Sequence, residues 1–419
     1  MYFNKKVSIV IPAYNEEKLI KRTIESVPDF IDLIIVIDDK SKDSTYAKIK
    51  TIKRHFGKRL FIIQHDVNKG VGAAIVSGYK ESLKQDCDIA VVMAGDAQMD
   101  PKYLPDLLDP IVEGRADYTK GNRLEHAELE KMPKVRQRGN AILSILTKVS
   151  SGYWDIVDPQ NGYAAISTEA LRTIDLDSIY PRYGYCNDVL VKLNIYNFRV
   201  LDVPMPPVYG EEKSGIRIKT YTFHMSRLLT GLFFHRIRKK FGGLKFHPLL
   251  LFYTLGLLLL SVGVAMGIWI VGLRLISLQA TEGTLILTTL FVLTGLQLFL
   301  FAMLFDVLTT RAAIEGRSSS DSKGKNGSVQ VSFHPTIIGL FRRFSSKFWG
   351  GSFHPIALIY MFGTVFTAVG LLLGVYILYL RIFDIGVSFG TEMIAALLII
   401  AGFQFIFFGM VFEILIRNR

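Results

Sequence analysis

The sequence predicts an α/β domain with a mostly parallel central sheet, followed by an all-α membrane domain. Short β-branched segments alternate with helical segments as far as residue 220, and long uncharged segments follow residue 247. The composition agrees, because 50% of the 419 residues are hydrophobic and 21% are charged, whereas soluble proteins average about 25% charged residues. A wholly soluble chain, a disordered chain and a collagen-like chain are therefore excluded.

The α/β prediction rests on four strand-like segments, each followed by a helical one. Uninterrupted β-branched segments separated by helices are typical of a parallel sheet that is buried on both faces. In such sheets ligands bind at the carboxyl ends of the strands, in the loops that lead into the helices. The strand-like segments are 7–11, 33–37, 61–64 and 89–93, and the helical segments are 16–27, 42–53, 71–83 and 101–112.

Polar residues follow all four predicted strands. One such loop could be a turn or a helix cap, for which Asp43 is suited, but four loops at one sheet edge favour a binding site. The run 70–75 resembles a dinucleotide-binding fingerprint, yet it has Ile75 at the third glycine position and follows the third strand, so NAD binding is not favoured. Cys87 and Cys186 are the only cysteines, which excludes a disulfide framework and a cysteine-based zinc cluster. The polar runs are 12–16, 38–41, 68–70 and 95–98.

Four apolar segments exceed the roughly 20 residues that a membrane-spanning helix needs. We expect no secretory signal peptide at the start of the chain. Lys and Arg concentrate before the first apolar segment and between the second and third. By the positive-inside rule this predicts a multi-pass protein of the cell membrane, with the α/β domain and both termini in the cytoplasm. The net charge of +12 is then explained by anionic lipid headgroups, and nucleic acid is not expected as a partner. The segments are 248–273, 285–308, 355–380 and 393–415.

The membrane segments form two copies of one unit, related by an offset of 107 residues. Each unit joins an interfacial segment to a helical hairpin. Two such hairpins could enclose a lipid chain or could serve as a passive anchor, and the sequence leaves both interpretations open. The matched positions include Phe246-His247-Pro248 with Phe353-His354-Pro355, Gly256 with Gly363, Gly295 with Gly402, Arg274 with Arg381 and Asp306 with Glu413.

These patterns set the expected domain limits. Within the cytosolic part between the hairpins, the polar composition of 314–331 is typical of a flexible linker. The expected parts are the α/β domain at 1–220, a juxtamembrane amphipathic helix at 221–246, transmembrane hairpins at 247–308 and 354–419, and a cytosolic linker with a second amphipathic segment at 309–353.

Three runs of the first domain, taken together, resemble one enzyme family. The runs 7–17, 38–45 and 68–72 resemble the inverting family 2 glycosyltransferases, and the resemblance covers residues 5–215. It implies the GT-A fold and transfer of a sugar from a nucleoside diphosphate sugar. Within this family, the polyprenyl-phosphate sugar transferases that are similar to dolichol-phosphate mannose synthase also carry C-terminal membrane hairpins. The resemblance therefore implies a polyprenyl or dolichyl phosphate acceptor. UDP and GDP both remain open as the donor nucleotide, and the sugar is not determined.

The resemblance assigns donor and metal contacts to the strand-end loops. Asp96 and Gln98 fall on the metal-binding signature of the family, where Mg²⁺ or Mn²⁺ bridges the donor diphosphate, and such hard cations prefer oxygen ligands. Ala94 stands where the family commonly has a first Asp, which puts one metal or ribose contact in question. The residues expected to hold the nucleotide sugar are Pro12, Tyr14, Asn15, Glu16, Asp38, Asp39, Asn68, Lys69 and Asp96.

The resemblance also implies an acceptor site farther along the chain. Arginine suits a phosphate because its planar guanidinium binds two oxygens together, although these arginines could instead be surface residues beside the acidic run 125–130. The expected catalytic residues are Asp96, Asp158 and Asp188. A phosphate acceptor is already anionic at neutral pH, so Asp158 and Asp188 are interpreted first as orienting groups, and base catalysis remains a second possibility. The residues expected to bind the acceptor phosphate are Arg123, Arg136, Arg138, Lys213 and Ser214.

Three other functions remain as alternatives. A processive polysaccharide synthase usually carries a Gln-x-x-Arg-Trp signature, but none of Trp154, Trp269 and Trp349 follows an arginine. Transfer to a glycolipid, a soluble compound or a protein is the second alternative. A non-catalytic membrane protein that binds nucleotide or lipid is the third, and it would not need Asp96 and Gln98. The oligomeric state is open, a homo-oligomer included.

Overall fold

The protein divides into two compact units. The computed structural model describes residues 1–123, 134–206, 218–242, 248–278, 280–322, 355–383 and 385–417. One unit comprises Met1–Arg236 with Ala313–Ser352, and the other comprises Ile237–Ala312 with Phe353–Arg419. The first unit holds the α/β domain and the second holds the long apolar helices. The domain limits expected from the sequence stay predictions.

A seven-stranded sheet forms the centre of the first unit, within the described residues. Its strands are β1 (Val7–Ala13), β2 (Leu33–Asp38), β3 (Leu60–Gln64), β4 (Ile89–Val92), β5 (Tyr118–Asn122), β6 (Ala164–Ser167) and β7 (Val200–Pro204). Their spatial order is β3-β2-β1-β4-β6-β5-β7. Neighbouring strands are parallel, except that β6 runs antiparallel to both β4 and β5. The predicted α/β class with a mostly parallel sheet is therefore confirmed.

Both faces of the sheet are buried, in agreement with the uninterrupted β-branched segments of the sequence. Successive side chains of a strand point to opposite faces. In β1, Ile9 and Ile11 belong to one hydrophobic cluster and Val10 belongs to another, and in β2 the same alternation separates Val36 from Ile35. The helices of the α/β part are α1 (Ile20–Glu25), α2 (Thr45–Phe56), α3 (Val71–Lys84), α4 (Leu104–Val112), α5 (Lys134–Ser151), α6 (Thr168–Thr173) and α7 (Tyr185–Ile195), and α8 (Ile218–Phe241) follows.

The topology brings distant loops to one edge of the sheet. The carboxyl ends of β1 to β5 share this edge, because β6 is antiparallel to both β4 and β5. For the same reason β6 begins at this edge, so the residues that precede Ala164 lie near the residues that follow Asn122. Ligands of α/β sheets bind at this edge, which places the site there.

The first helix is shorter than the sequence predicts. It begins at Ile20 and not at residue 16, and the two residues with which the predicted helix would start are hydrogen-bonded to the next loop. The N–H of Glu16 donates to Thr45 Oγ1 at 2.8 Å, and the N–H of Glu17 donates to Asp43 Oδ2 at 3.2 Å. Asp43 also accepts the Thr45 N–H at 3.0 Å, so it satisfies the first amide of α2 from the position before the N-cap residue Ser44.

The second unit contains four helices that are long and apolar enough to cross a membrane, among the described residues. The candidate spans are Leu249–Leu275, Glu282–Glu315, Ile359–Ile382 and Phe389–Met410, which confirms the predicted number. They lie in α9 (Pro248–Leu275), α10 (Glu282–Ser322), α11 (Pro355–Ile382) and α12 (Phe389–Arg417). The flexible linker predicted from residue 314 is wrong in its first part, because α10 continues to Ser322. No proline interrupts the chain there before Pro335.

Equivalent glycines lie where the helices of each hairpin cross closely. A Cβ on Gly256 would stand 3.0 Å from the carbonyl oxygen of Gly295, and a Cβ on Gly363 would stand 3.0 Å from that of Gly402. Few Cβ atoms approach a neighbouring backbone this closely, and close approach is the usual reason for small residues between membrane helices. The two matched glycine pairs of the sequence thus occupy matched crossings in the two hairpins.

Candidate active site

Three loops at the carboxyl edge of the sheet contain a residue in the left-handed region. Asn15 follows β1 with a φ of 58°, Lys40 follows β2 with 63°, and Ala97 follows β4 with 55°. Residues other than glycine rarely adopt positive φ, and Asn does so more readily than Ala. Such conformations also occur in turns elsewhere, at Asp86 and Asn197. The backbone alone therefore does not identify a site, but it turns sharply where the predicted contacts lie.

The loops after β1 and β2 are joined through Asn15. Its N–H donates to Ser41 Oγ at 3.0 Å, and its Oδ1 accepts the N–H of Lys42 at 2.8 Å. Asn15 therefore connects the two loops through its backbone N–H and its side-chain oxygen. Pro12, Tyr14, Asn15 and Glu16 stay at least partly accessible along this rim, with Tyr14 40% exposed.

The first of the two consecutive aspartates after β2 is engaged within the fold. Asp38 is fully buried. Its Oδ1 accepts the N–H of Ser41 at 3.2 Å, and its Oδ2 accepts the side-chain amide of Gln64 at 3.0 Å. Asp38 thus shapes the loop after β2, and a direct contact with the nucleotide stays a prediction.

The second aspartate, Asp39, fastens the loop after β3. It is 3% exposed, and it accepts the N–H groups of Lys69 at 2.8 Å and Gly70 at 2.7 Å. Its Oδ1 also lies 2.7 Å from Nδ1 of His65, whose Nε2 lies 2.9 Å from Ser77 Oγ. His65 was not among the predicted residues, although it directly follows the third strand. Two expected donor contacts, the exposed Asn68 and Lys69, lie on the loop that Asp39 fastens.

Asp188 lies beneath the segment that packs against the same loop. Its Oδ2 accepts the N–H of Tyr180 at 2.7 Å, and its Oδ1 accepts Nζ of Lys192 at 2.6 Å. A Cβ on Gly70, whose φ is 97°, would stand 2.5 Å from the carbonyl oxygen of Pro181. The close approach of the two segments therefore requires glycine. Asp188 is 2% exposed, and its catalytic role stays a prediction.

Asp96 stands at the end of β4, beside the end of β1. The N–H of Gly95 donates to the carbonyl of Pro12 at 3.3 Å, and Thr23 Oγ1 donates to the carbonyl of Gly95 at 3.0 Å. The half-buried Asp96 accepts the N–H of Gln98 at 3.0 Å, across the left-handed Ala97. The predicted donor residues of β1, β2 and β4 thus lie on adjacent strand ends.

The residues around Asp96 fit a metal that depends on its substrate. Among the described residues no three His, Cys, Asp or Glu side chains cluster as metal ligands. Mg²⁺ in phosphate-transfer sites often takes only one or two protein carboxylates and completes its shell with water and substrate phosphates. One half-buried carboxylate on a tight turn, with the Gln98 amide beside it, matches that donor set.

Arg123 and Asp158 form a paired contact at the same edge. Arg123 Nε lies 2.7 Å from Asp158 Oδ2, and its Nη2 lies 3.1 Å from Oδ1. The arginine side chain is 31% exposed and the aspartate side chain 1%. Burial alone would raise the pKa of Asp158, but the Arg123 guanidinium and the Lys120 ammonium outweigh burial and hold the pKa below its usual range. The aspartate is therefore ionised and holds the arginine in one plane.

The other predicted acceptor residues are only partly placed. Arg136 and Arg138 lie in the first turns of α5, and their side chains lie outside the described residues. Lys213 and Ser214 also lie outside the described residues. The sequence reasoning missed the interior roles of Lys120 and Asp202. The signal for both was a charged residue within a strand segment, Tyr118–Asn122 and Val200–Pro204 respectively.

Comparison with known proteins bears on this site. The sequence profile of Glycosyl transferase family 2 matches residues 8–175. The chain is 31% identical over 221 residues to a UDP-N-acetylglucosamine–dolichyl-phosphate N-acetylglucosaminyltransferase of Methanococcus voltae, covering 50% of this chain and 88% of that protein. It is 29% identical over 239 residues to a dolichol-phosphate mannosyltransferase of Pyrococcus furiosus, covering 54% of this chain and 64% of that protein.

One similar solved structure is that of glucosyl-3-phosphoglycerate synthase from Mycobacterium tuberculosis, in complex with Mn²⁺ and UDP. The two chains are 20% identical, and the match covers 56% of this chain and 80% of that chain with a TM-score of 0.43. The sheet and its edge define a glycosyltransferase with the GT-A fold. Given the extent of its similarity to the Methanococcus voltae enzyme, the chain belongs to glycosyltransferase family 2. The sequence-based identification of the family is confirmed.

Proposed function

We propose that this glycosyltransferase moves one sugar from a nucleoside diphosphate sugar to a polyprenyl phosphate at a membrane surface. The observation that carries the proposal is the Arg123–Asp158 pair. It presents a partly exposed guanidinium, fixed by a buried carboxylate, at the sheet edge where the donor residues lie. A fixed guanidinium suits a phosphate because it binds two oxygens together. Four candidate membrane helices and the names of the relatives support a lipid carrier for that phosphate.

The donor is assigned to the loops after β1 to β4. Tyr14 and Glu16 line the rim, Asn68 and Lys69 are exposed on the loop after β3, and Asp96 follows β4. Asn15, Asp38 and Asp39 contribute through the hydrogen bonds that join these loops. UDP and GDP are both compatible with this rim, so the donor base is part of the test.

Asp96 and Gln98 would hold Mg²⁺ or Mn²⁺ together with the donor diphosphate. When bound, the ion neutralises the charge that develops on the leaving nucleoside diphosphate. The fold reduces the mobility of these side chains, because Gly95 is tied to both β1 and α1. The metal is therefore expected to bind tightly only when the diphosphate is present.

The acceptor needs positioning more than deprotonation. A phosphate monoester is already anionic at neutral pH, so no strong general base is required. Asp158 has a lowered pKa and is held by Arg123, which makes it a weak base and an effective orienting group. Both carboxylate oxygens of Asp188 are hydrogen-bonded within the fold, and we assign it the same kind of role. Correct placement of a reactant can supply much of a rate enhancement.

The membrane arrangement completes the proposal. The α/β domain and both termini are assigned to the cytoplasm, the compartment in which the phosphate of a bilayer-embedded acceptor would be bound. Arg136, Arg138, Lys213 and Ser214 are proposed to add further contacts to that phosphate.

The test is a product analysis with the purified full-length protein. It is incubated with a panel of UDP-sugars and GDP-sugars, a polyprenyl phosphate, and Mn²⁺ or Mg²⁺, and the lipid fraction is analysed by mass spectrometry. The expected product is the polyprenyl phosphate bearing one sugar, formed with one donor nucleotide. Matched reactions contain the unphosphorylated polyprenol or EDTA, and both should give no product. Transfer only to a glycolipid, a polysaccharide or a soluble compound would contradict the proposal.

A further inference from the structure

Two titratable residues lie opposite each other on β5 and β7, Lys120 fully buried and Asp202 half-buried. Lys120 and Asp202 are paired positions of these parallel strands, so their side chains leave the sheet on the same face. The Lys120 side chain is fully buried. The Oδ1 atom of Asp202 is also buried, and it has no hydrogen-bond partner among the described residues.

Both side chains form hydrogen bonds with the short segment that precedes β6. Lys120 Nζ donates to the carbonyl oxygen of Asp158 at 2.6 Å, and Asp202 Oδ2 accepts the N–H of Val157 at 2.6 Å. The carbonyl oxygen of Val157 accepts a third hydrogen bond from Ser144 Oγ of α5, also at 2.6 Å. Three separate elements, β5, β7 and α5, therefore hold two consecutive residues of one loop.

The segment that these hydrogen bonds hold includes Asp158, whose carboxylate binds Arg123. We propose that Lys120 and Asp202 are positioning residues for the acceptor phosphate, because they fix Asp158 and Asp158 in turn fixes the Arg123 guanidinium. The inference rests on the proposed function, in which Arg123 binds the phosphate of the acceptor. Neither Lys120 nor Asp202 touches the acceptor itself.

The charges of the pair are costly for the fold, which argues against a role in stability alone. Burial lowers the pKa of Lys120, and burial raises the pKa of Asp202 to about 7 although the Lys120 ammonium acts in the opposite direction. The other titratable or charged groups that face the pair are Asp158, Arg123, Tyr118 of β5 and Cys186 of α7. Apolar side chains of similar volume are often equally or more stabilising at such positions. Retaining two polar, titratable side chains there is explained by the geometry that they impose on residues 157 and 158.

The kinetic test compares Lys120→Met and Asp202→Asn with the wild type. Lys120→Met is expected to raise the KM for polyprenyl phosphate about tenfold while the KM for the donor changes less than about twofold. Asp202→Asn keeps an oxygen that can accept the Val157 N–H and removes only the charge, so its expected effect on the lipid KM is smaller, about threefold. Equal changes in the two KM values would contradict a role at the acceptor.

The control and the double variant separate positioning from general destabilisation. Lys148→Met removes another buried lysine of the same domain, and it should leave the ratio of the two KM values unchanged. The double variant Lys120→Met/Asp202→Asn should lose little more than Lys120→Met alone, because residues that act through one segment are not additive. Fully additive effects would overturn the inference. If Lys120→Met does not fold, Asp202→Asn still carries the test, since it conserves the shape of the side chain.

Hydrogen exchange provides a readout that does not need transfer. The N–H of Val157 is bound by Asp202, and the N–H of Arg123 is bound by Asp158 Oδ2 at 3.2 Å. Both variants should accelerate exchange at these two amides in the protein without substrates, and Lys148→Met should not. Unchanged exchange would show that Lys120 and Asp202 do not hold residues 157 and 158 in place. Faster exchange with an unchanged KM for polyprenyl phosphate would show that this contact does not position the acceptor. A wild type that modifies no polyprenyl phosphate would refute the proposed function, while the exchange still decides whether the pair fixes Arg123.

Discussion

Arg123 and Asp158 meet through two parallel hydrogen bonds, although 35 residues of chain separate them, with Nε 2.7 Å from Oδ2 and Nη2 3.1 Å from Oδ1. Two bonds of this kind fix the plane of the guanidinium as well as its position. The aspartate side chain is 1% exposed and the arginine side chain 31%, so the pair has one side in the interior and one side toward the sheet edge. The proposed phosphate contact depends on this relationship.

Replacing Arg123 should weaken the acceptor site more than the donor site. Arg123→Ala removes a charge-assisted contact and is expected to raise the KM for polyprenyl phosphate about 100-fold, with little change in the KM for the donor. Arg123→Lys keeps the charge but cannot form the two parallel bonds, so its effect should be intermediate. Steady-state kinetics with each substrate varied in turn provides the measurement. Arg115→Ala, at a 56% exposed surface arginine, is the matched control, and a loss confined to donor binding would contradict the assignment.

Replacing Asp96 should abolish transfer and leave the protein folded. Asp96→Ala removes the one carboxylate proposed to hold the metal, so turnover should fall by at least about 100-fold. Calorimetry should show that Mn²⁺ binds the wild type more tightly in the presence of the nucleoside diphosphate, and that this gain is lost in Asp96→Ala. Asp106→Asn changes an exposed acid of α4 and should leave both quantities unchanged. Unchanged turnover in Asp96→Ala would remove the metal role from this residue.

Asp202 should make stability fall as the pH rises toward neutrality. Burial raises its pKa from 3.8 to about 7, so the folded protein holds a proton that the unfolded chain has released. Its stabilising contribution is present below the unfolded pKa and is lost as the pH rises through the folded pKa, at about 1.4 kcal/mol per pH unit. Thermal unfolding of the wild type between pH 5 and 7 should therefore show a steeper decline than that of Asp202→Asn. Identical slopes in the two proteins would contradict the raised pKa.

The buried Arg236 should stabilise the first unit through the ends of α5 and α7. It is fully buried, and it donates to the carbonyl oxygens of Ser150 at 2.8 Å and Val149 at 3.2 Å and to Asn194 Oδ1 at 3.4 Å. A cation is also favoured at the C-terminal end of a helix such as α5. Arg236→Met leaves these acceptors without the guanidinium and should cost about 3 kcal/mol of unfolding free energy.

The control for Arg236 is available in the same helix. Arg238 is exposed, so Arg238→Met should change the unfolding free energy by no more than about 0.5 kcal/mol. The unfolding free energy of both variants is measured by urea unfolding of the α/β domain, followed through the hydrogen exchange of the amides in its strands. Equal losses in the two proteins would show that the interior hydrogen bonds of Arg236 contribute no more than surface charge.

The donor side of the site was predictable to the extent that each residue follows a strand. Asp39 and Asp96 could be assigned to one sheet edge, because the carboxyl ends of parallel strands lie together. The hydrogen bonds of Asp39 could not be assigned, since the groups that meet it come from another loop, namely the His65 ring and the Gly70 N–H. The sequence likewise did not show that Thr45 and Asp43 of the next loop bind the amides of Glu16 and Glu17, just before the observed start of α1.

By itself the sequence determined the class of the first domain and the four apolar helices. Both follow from local patterns, namely uninterrupted β-branched strands and spans longer than the bilayer core. Only the tertiary structure decided that Lys120 and Asp202 face each other and that Asp158 reaches Arg123. The first contact depends on the parallel pairing of β5 with β7, and the second depends on inserting β6 in the antiparallel sense between β4 and β5. No local pattern in the chain specifies that choice, because it is set by packing between segments far apart in sequence.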